Sequence, residues 1–488
     1  MTARDVLRIA VLKTNPYWPF SVLNRMPYWL AVKCFVRTCS KFKEIRSVYL
    51  RHALITGNWT PALSDIDLTV LVDGSLSAEA EFAFLRNFWP RFDRLKKFFP
   101  MFGEIEILNE DHLDSWAKFG IEGQECSNWQ LLAGCELAIK KCRANPGRIS
   151  LETFDFAFWF YLQQLTDLHF QPPVSHYLLL QDLLRVERKI DRCLSALGVY
   201  TASCVDENDR DLCSAGVLLA VLQKLQQGLT ALGIKEPRPK QEELRRNWLL
   251  AQARKRNPKL PQERQLAGLS HWAFLVSAIY LDDRERAFII VKNADDSVEN
   301  LRCIEEVTDY FAQRQTRSFI LTPDLFAYHM NFLQPYEYAR FLDNSNLIFG
   351  EDCLVKITRP GQKALIHSLL KETPLLLMFP RSQEFMQPDV RGTLSCHDLE
   401  YKLDRALALK LYLQRGTVKG SISEMLQEFD AANPRQALEI ARLRNRIKGK
   451  QPDRELFVFF KGLIDDIHGR LASDDCWESS MESAAAVR

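Results

Sequence analysis

The sequence lacks long apolar runs, cysteine motifs and an excess of charge of either sign. No segment approaches the roughly eighteen consecutive apolar residues that a membrane-spanning helix needs, so we expect no membrane partner. The apolar stretches near the amino terminus are short, and charged and cyclic residues interrupt them, which predicts no signal peptide. These interruptions are Lys13, Pro16, Pro19 and Arg25.

Cysteine is present, but not in any pattern that binds zinc or forms a redox centre. The twelve cysteines are scattered without a Cys-x-x-Cys pair. In a chain of this length, such spacing is typical of buried or free thiols in a reducing compartment. We therefore expect a cytoplasmic protein.

Net charge gives no general attraction to nucleic acid or membrane, because 64 basic residues face 62 acidic ones. One segment differs. Residues 235–264 contain ten lysines and arginines against four acids, and prolines bound the segment on both sides. This composition predicts a linker that encloses a short basic helix, and a contact to RNA or phosphate is the weakly supported alternative.

Two acids open the most informative strand of the sequence. Asp65 and Asp67 stand at the start of a run of aliphatic and β-branched residues that ends at Gly74. The run predicts a buried strand. Because side chains alternate between the faces of a strand, we expect both carboxylates on one face.

A second acidic strand follows a segment of helical periodicity. Residues 103–108 again place acids on one face, here Glu104 and Glu106, and aliphatic residues on the other. Three or four carboxylates therefore meet if the two strands are neighbours. Such a cluster needs a cation, and oxygen ligands favour Mg²⁺ or Mn²⁺. Two ions about 4 Å apart would hold a triphosphate and an attacking hydroxyl for in-line displacement.

The segment from Val48 to Leu68 resembles the opening of the polymerase-β-like nucleotidyltransferases, in a form typical of bacterial nucleotidyltransferase-domain proteins. That family has a Gly-Ser or Gly-Gly pair, a gap of about ten residues, an Asp-x-Asp or Asp-x-Glu motif and a later acidic strand. The resemblance implies a mixed sheet with flanking helices and a metal-dependent transfer of a nucleoside monophosphate. Asp65 and Asp67 fall on the metal-ligand pair, and Glu106 best matches the third carboxylate, with Glu104 as the alternative.

The chain departs from the family at the glycine pair. The gap places that pair at His52-Ala53, where neither a glycine nor a serine hydroxyl is present. Glycine lets the backbone approach phosphates closely, so the departure bears on phosphate binding and on catalysis. The resemblance implies that His52, Ala53 and Ser64 contact the nucleotide.

A second segment repeats the element order of the first. Residues 265–360 contain two predicted strands around a helix, Ala287 to Val291 and Ser318 to Leu321, and a later Leu-Ile-Phe-Gly that echoes Leu131 to Gly134. Glu285-Arg286 stands there in place of Asp65-Ile66-Asp67, and no acid replaces Glu104 or Glu106, so this segment cannot assemble the metal cluster. We therefore predict a degenerate, structural nucleotidyltransferase-like unit whose strand 287–291 matches strand 68–72.

The expected fold class is α/β (α+β), with two nucleotidyltransferase-like mixed sheets, each followed by helices. The predicted domains are a catalytic domain with an amino-terminal arm, a helical bundle, a basic linker, the degenerate unit and a carboxy-terminal helical domain. Their boundaries are 1–145, 146–234, 235–264, 265–360 and 361–488.

Three functions remain open from the sequence. The first is a Mg²⁺-dependent nucleotidyltransferase that moves a nucleoside monophosphate, AMP from ATP being the commonest choice in the family, onto an unknown hydroxyl acceptor. The second is a catalytically weakened protein of the same fold that binds a nucleotide or a partner. A third, RNA modification or RNA binding, depends mainly on residues 235–264.

Overall fold

The structure is a computed structural model. It describes residues 3–57, 59–119, 128–136, 146–166, 168, 176–199, 214–233, 267–282, 284, 286–295, 297–387, 396–447 and 454–473. The predicted basic linker at 235–264 lies outside these ranges.

The described residues form a mixed α/β protein with two compact units. Of the described residues, those within 2–144 and 369–479 form one unit, and those within 145–368 form the other. Each sheet is therefore grouped with helices that do not all follow it directly in the chain. No helix of the described residues is both long and apolar enough to span a membrane.

The first sheet and its neighbours come from the amino-terminal third of the chain. The order is α1 Ala3–Thr14, α2 Phe20–Cys39, β1 Ile45–Leu50, α3 Ala53–Thr56, β2 Ile66–Val72, α4 Ala78–Phe98, β3 Phe102–Asn109, a 3₁₀ turn Glu110–His112, α5 Leu113–Phe119 and β4 Gln130–Gly134. Both predicted acidic strands are thus present, as β2 and β3.

The four strands form one sheet in the order β3-β2-β1-β4. β1 is antiparallel to both β2 and β4, whereas β2 and β3 are parallel. The parallel pairing requires a crossover, and α4 supplies it. Helix α4 starts at the Ser77 cap, whose hydroxyl accepts from the Ala80 N–H, and buries Phe84, Phe88 and Phe92.

The second sheet lies in the other unit, which begins with three helices. Its elements are α6 Pro146–Phe160 with a π turn Tyr161–Leu165, α7 His176–Ala196, α8 Ser214–Ala231, a 3₁₀ helix Ala267–Phe274, β5 Val276–Leu281, β6 Arg286–Val291, α9 Val298–Ala312, β7 Arg317–Leu321, α10 Pro323–Tyr328 with a π turn His329–Leu333, α11 Pro335–Asn344, β8 Asn346–Gly350, a 3₁₀ turn Cys353–Lys356 and the start of α12 Gln362–Lys371. Buried Phe154, Phe158 and Tyr161 show that the aromatic run of α6 belongs to a core.

The remaining helices belong with the first sheet. They are α13 Thr373–Met378, a 3₁₀ turn Phe379–Arg381, α14 Gln383–Met386, α15 Cys396–Arg415, α16 Ile422–Ala432, α17 Pro434–Ile447 and α18 Arg454–Ser473. A buried ion pair between Arg381 and Glu81 of α4 joins this segment to the first sheet. The helices of the predicted carboxy-terminal helical domain include α15 to α18.

The two sheets have the same topology, as the repeat in the sequence predicts. The order β7-β6-β5-β8 and the directions of its pairs reproduce those of the first sheet. Register agrees as well, because Leu50 pairs with Leu68 where Leu281 pairs with Ala287. Strand 287–291 therefore corresponds to strand 68–72.

Two glycines make the repeat visible at the level of single residues. Gly134 and Gly350 end the fourth strands with φ values of +91° and +79°. A Cβ atom at either would lie 1.9 or 2.0 Å from a backbone oxygen of the neighbouring strand. Only glycine fits such a close approach, which explains why both apolar stretches end in this residue.

Candidate functional site

Asp65 and Asp67 lie together at the amino-terminal end of β2. A Cβ atom built on Gly103, at the start of β3, would be 2.6 Å from Asp67 Oδ1 and 2.7 Å from Asp65 Cβ. Both acids therefore flank the same glycine. Asp65 is exposed and Asp67 is half-buried, so the position is open to solvent.

The third acid lies on the neighbouring strand. Thr69 pairs with Glu106, and alternation along β2 places Asp67 on the same face as Thr69. β3 carries a bulge, since Ile66 pairs with Phe102 but Leu68 pairs with Ile105. Gly103 and Glu104 thus both stand opposite Asp67, and the side chain of Glu104 is exposed.

Glu106 is held by an arginine. Arg51 Nη1 lies 2.7 Å from Glu106 Oε2, and the two side chains are only 2% and 5% exposed. The Arg51 N–H also donates to the Asp67 carbonyl oxygen at 3.0 Å, so Arg51 is the cross-strand neighbour of Asp67. A guanidinium thus neutralises the third carboxylate on the face where the resemblance implies a metal.

The turn that follows Arg51 has the backbone of a glycine turn. His52 has φ 55° and ψ −129°, a conformation that glycine adopts without strain and that side chains with a Cβ rarely adopt. Ala53 then begins α3. Because Arg51 pairs with Asp67, the turn leaves the sheet beside the two acids.

The loop before Asp65 is fixed by the amino-terminal helices. The Tyr28 hydroxyl of α2 donates to the Ser64 carbonyl oxygen at 3.1 Å and accepts from the Ala62 N–H at 2.8 Å. Arg8 of α1 donates to the Ala62 carbonyl oxygen at 3.1 Å. Burial raises the pKa of Tyr28, and the negative charge of Asp65 acts in the same direction, so the hydroxyl stays neutral.

Ser64 closes this loop with its own side chain. Its hydroxyl accepts from the Thr60 N–H at 2.9 Å. The Ser64 hydroxyl, which is predicted to contact the nucleotide, is therefore already engaged in a hydrogen bond within its own loop. On the other side of the acids, Lys96 of α4 donates to the Gly103 carbonyl oxygen at 3.2 Å, which places one cation beside the carboxylate pair.

The donor set fits one magnesium ion better than two. Mg²⁺ is commonly held by one or two carboxylates, with phosphate oxygens and water completing its shell. Asp65 and Asp67 meet this requirement, whereas Glu106 is engaged by Arg51. Among the described residues, no group of three or more His, Cys, Asp or Glu side chains is arranged as a metal site.

The second sheet has no equivalent of this site in the part of the chain that is described. By register, Arg286 corresponds to Asp67 and Phe319 to Glu106. Asp282 corresponds to Arg51, because its N–H donates to the Arg286 carbonyl oxygen at 3.0 Å. The side chains of Asp282 and Arg286 form an ion pair at 2.6 Å, which links the end of β5 to the start of β6. The predicted Glu285 lies outside the described residues.

Arg51 and Gly103 are the residues that the sequence pattern did not single out. Arg51 could have been recognised, because it is a charged residue at the end of an apolar strand and directly precedes the His52-Ala53 turn. Gly103 could also have been recognised, because it directly precedes the acidic strand. Comparison with protein-family models, with curated proteins and with solved structures finds no significant match for the chain.

Proposed function

We propose that residues 45–134 form a domain of the nucleotidyltransferase type. The observation that carries this proposal is the meeting of Asp65 and Asp67 around Gly103, beside a turn with glycine-like backbone. Phosphoryl transfer relies on positioning and charge neutralisation. A pair of carboxylates, an adjacent turn with glycine-like backbone and a third acid on the next strand are suited to these two tasks.

Within this class, we propose transfer of a nucleoside monophosphate, AMP in the first instance, from a nucleoside triphosphate to a hydroxyl acceptor, with cleavage of the α–β phosphoanhydride bond and pyrophosphate as the leaving group. Asp65 and Asp67 would hold Mg²⁺, which when bound would neutralise charge on the triphosphate. The His52-Ala53 turn would lie against the phosphates, and Lys96 would add positive charge beside them. Glu106 would take the proton of the acceptor hydroxyl once Arg51 releases it.

The Arg51–Glu106 ion pair favours a second candidate function. While Arg51 binds Glu106, this carboxylate is not available to orient or deprotonate an acceptor. A domain fixed in that state would bind a nucleotide through Asp65 and Asp67 without transferring it. The protein would then act as a nucleotide-binding or partner-binding module.

Transfer from labelled nucleotides distinguishes the two functions. The full chain is incubated with Mg²⁺, with each nucleoside triphosphate labelled at the α-phosphate, and with candidate acceptors that carry a hydroxyl. We expect label on an acceptor for the wild type and none for Glu106→Gln, while both proteins bind the nucleotide. Equal binding with no transfer by the wild type, over a broad range of acceptors, would favour the binding module.

A matched control keeps this experiment specific to the site. Asp430 is an exposed acid of α16 in the same unit, far along the chain from the strands that carry the site. Asp430→Asn should transfer as the wild type does. Loss of transfer in Asp430→Asn as well would assign the effect of Glu106→Gln to a general disturbance of the protein.

A further inference from the structure

The exposed apolar side chains of the protein are concentrated in its first two helices. Ten of the sixteen large apolar side chains that are exposed in the described residues lie between Val6 and Leu30. They include Trp18, which is 81% exposed, and Met26, which is 58% exposed. Isolated exposed apolar residues are normal, but a concentration of this kind marks an interaction surface.

We call these side chains the arm surface: the exposed apolar residues of α1, of the connecting turn and of the first half of α2. Along α2, Leu23, Met26 and Leu30 follow each other at helical spacing. The opposite side of α2 is occupied, since Tyr28, Val32 and Phe35 are buried. The exposed side is therefore a separate face of the helix.

Positive charge accompanies the arm surface. Residues 1–43 contain eight lysines and arginines and a single acid, Asp5, in a chain whose overall charge is near zero. Lys33 and Arg37 continue the exposed side of α2 beyond Leu30 at spacings of three and four residues. The face thus passes from apolar to basic along one helix.

We propose that the arm surface binds the surface of anionic lipid bilayers. Trp, Leu and Met side chains on one helix face, with Lys and Arg beside them, are the features of a helix that lies in the interfacial plane of a membrane. Lysine and arginine residues near an anionic leaflet add electrostatic attraction. A helix of this kind lies on the membrane and does not cross it, so the proposal departs from the expectation of no membrane partner, which was based on the lack of a spanning segment.

The helices that carry the arm surface also contact the loop before the carboxylate pair, through other residues. Tyr28 of α2 and Arg8 of α1 hold the loop that leads to Asp65. Because Tyr28 lies on the buried side of α2, opposite the arm surface, the loop that leads to Asp65 would then lie on the side of α2 away from the lipid. The membrane proposal itself stands on the exposed residues and their charge, and it is independent of the proposed transfer reaction.

Vesicle flotation of the full chain tests the proposal. We expect the wild type to float with vesicles of phosphatidylcholine mixed with phosphatidylglycerol and to float poorly with phosphatidylcholine alone. Raising NaCl from about 0.1 M to about 0.5 M should reduce the bound fraction, because salt screens the lysines and arginines. No flotation of the wild type with anionic vesicles at the lower salt concentration would overturn the proposal.

Two variants separate the apolar from the electrostatic contribution. Leu23→Gln, Met26→Gln and Leu30→Gln together remove apolar contact while keeping good helix formers, and Lys33→Gln with Arg37→Gln removes charge alone. We expect each variant to lose about tenfold or more of the lipid partition coefficient. Unchanged melting temperatures will show that the variants remain folded.

Matched substitutions elsewhere in the same unit provide the controls. Leu375 and Leu438 are 51% and 67% exposed, so Leu375→Gln with Leu438→Gln removes similar apolar area. Arg435→Gln with Arg442→Gln on α17 removes the same charge as the basic variant. Both controls should float as the wild type does. Equal loss in controls and arm variants would overturn the proposal, as would an arm triple variant that turns a dimer into a monomer without changing lipid binding.

Discussion

His52 holds a backbone conformation that its side chain makes costly. Its φ of 55° and ψ of −129° lie in a region where a Cβ atom meets the backbone, and such residues carry roughly 1 to 3 kcal/mol of strain. Strain of this kind is retained only where the surroundings impose it. Here the surroundings are a turn that begins at Arg51, which is fixed by its bond to Asp67.

Replacing His52 by glycine should therefore stabilise the protein. We expect His52→Gly to raise the free energy of unfolding by about 1 kcal/mol, because glycine adopts this conformation without a clash. Chemical denaturation of the full chain measures the change. His52→Ala is the matched control, since alanine retains the Cβ atom and should not stabilise. Equal stabilities of the glycine and alanine variants would show that the turn is not strained.

Gly103 gives a test of the carboxylate pair that leaves both acids in place. A methyl group at this position would come within 2.7 Å of Asp65 Cβ and 2.6 Å of Asp67 Oδ1, so the two side chains must move apart. We expect Gly103→Ala to weaken Mg²⁺-dependent nucleotide binding about tenfold or more and to cost about 1 to 3 kcal/mol of stability. Isothermal titration calorimetry measures the affinity.

A glycine without neighbours controls for the substitution itself. Gly462 of α18 lies in the same unit, and a Cβ atom there would meet nothing within 4 Å. Gly462→Ala should leave nucleotide affinity unchanged. If Gly103→Ala bound nucleotide as tightly as the wild type, the close approach of the two acids would have no role in binding.

At the scale of elements, two histidines join α18 to the end of the acidic strand. His112, in the 3₁₀ turn after β3, has its Nε2 atom 3.1 Å from Asp465 Oδ1, and its ring lies 4.6 Å from that of His468. His468 Nδ1 is 2.9 Å from the Ser115 hydroxyl of α5. Lys461 Nζ also lies 2.6 Å from Asp465 Oδ2. Helix α18 therefore contributes a carboxylate, an ammonium group and an imidazole ring to this contact.

Burial makes this contact sensitive to acid. Burial lowers the pKa of His112 to about 4, although its bond to Asp465 acts in the opposite direction. Burial also lowers the pKa of His468. A histidine whose pKa is lowered by folding binds fewer protons in the folded state, so stability is full above pH 6.5 and is lost as the pH falls toward 4. The pKa of Asp465 is lowered from 3.8 to about 2, so protonation of this carboxyl reduces stability only below about pH 3.8.

We therefore expect the wild type to lose about 2 kcal/mol more stability than His112→Gln between pH 6.5 and pH 4.5. Glutamine keeps a donor for Asp465 but does not titrate. Urea unfolding at a series of pH values provides the comparison. The same pH dependence in both proteins would mean that His112 does not become charged on unfolding in this range.

Much of the element order could be predicted from the sequence, because periodicity and turn residues act locally. The strands at Asp67 and Glu106, the helices α15 to α18 and the repeated sheet all follow from such patterns. The buried pair of Arg51 and Glu106 could not be predicted in this way. It depends on which strands are neighbours and on which side chain reaches across β2.

At the scale of the whole molecule, the grouping of helices with sheets also depends on long-range packing. Residues 145–231 belong to the unit of the second sheet, and residues 369–479 to the unit of the first. Amphipathic helices show only that they have an apolar face, and the sequence does not specify which sheet covers it.

We propose that Asp65 and Asp67 bind a nucleotide together with a divalent cation. The most direct measurement is the thermal stability of the full chain with ATP and Mg²⁺, compared with ATP alone, for the wild type, for Asp65→Asn with Asp67→Asn, and for Asp430→Asn. At a nucleotide concentration of about one hundred times Kd, binding adds about 2.7 kcal/mol of stability. We predict this Mg²⁺-dependent stabilisation in the wild type and in Asp430→Asn, and its loss in the double variant. The same stabilisation in the double variant, or none in the wild type with any nucleoside triphosphate, would show that Asp65 and Asp67 do not bind a nucleotide through a divalent cation.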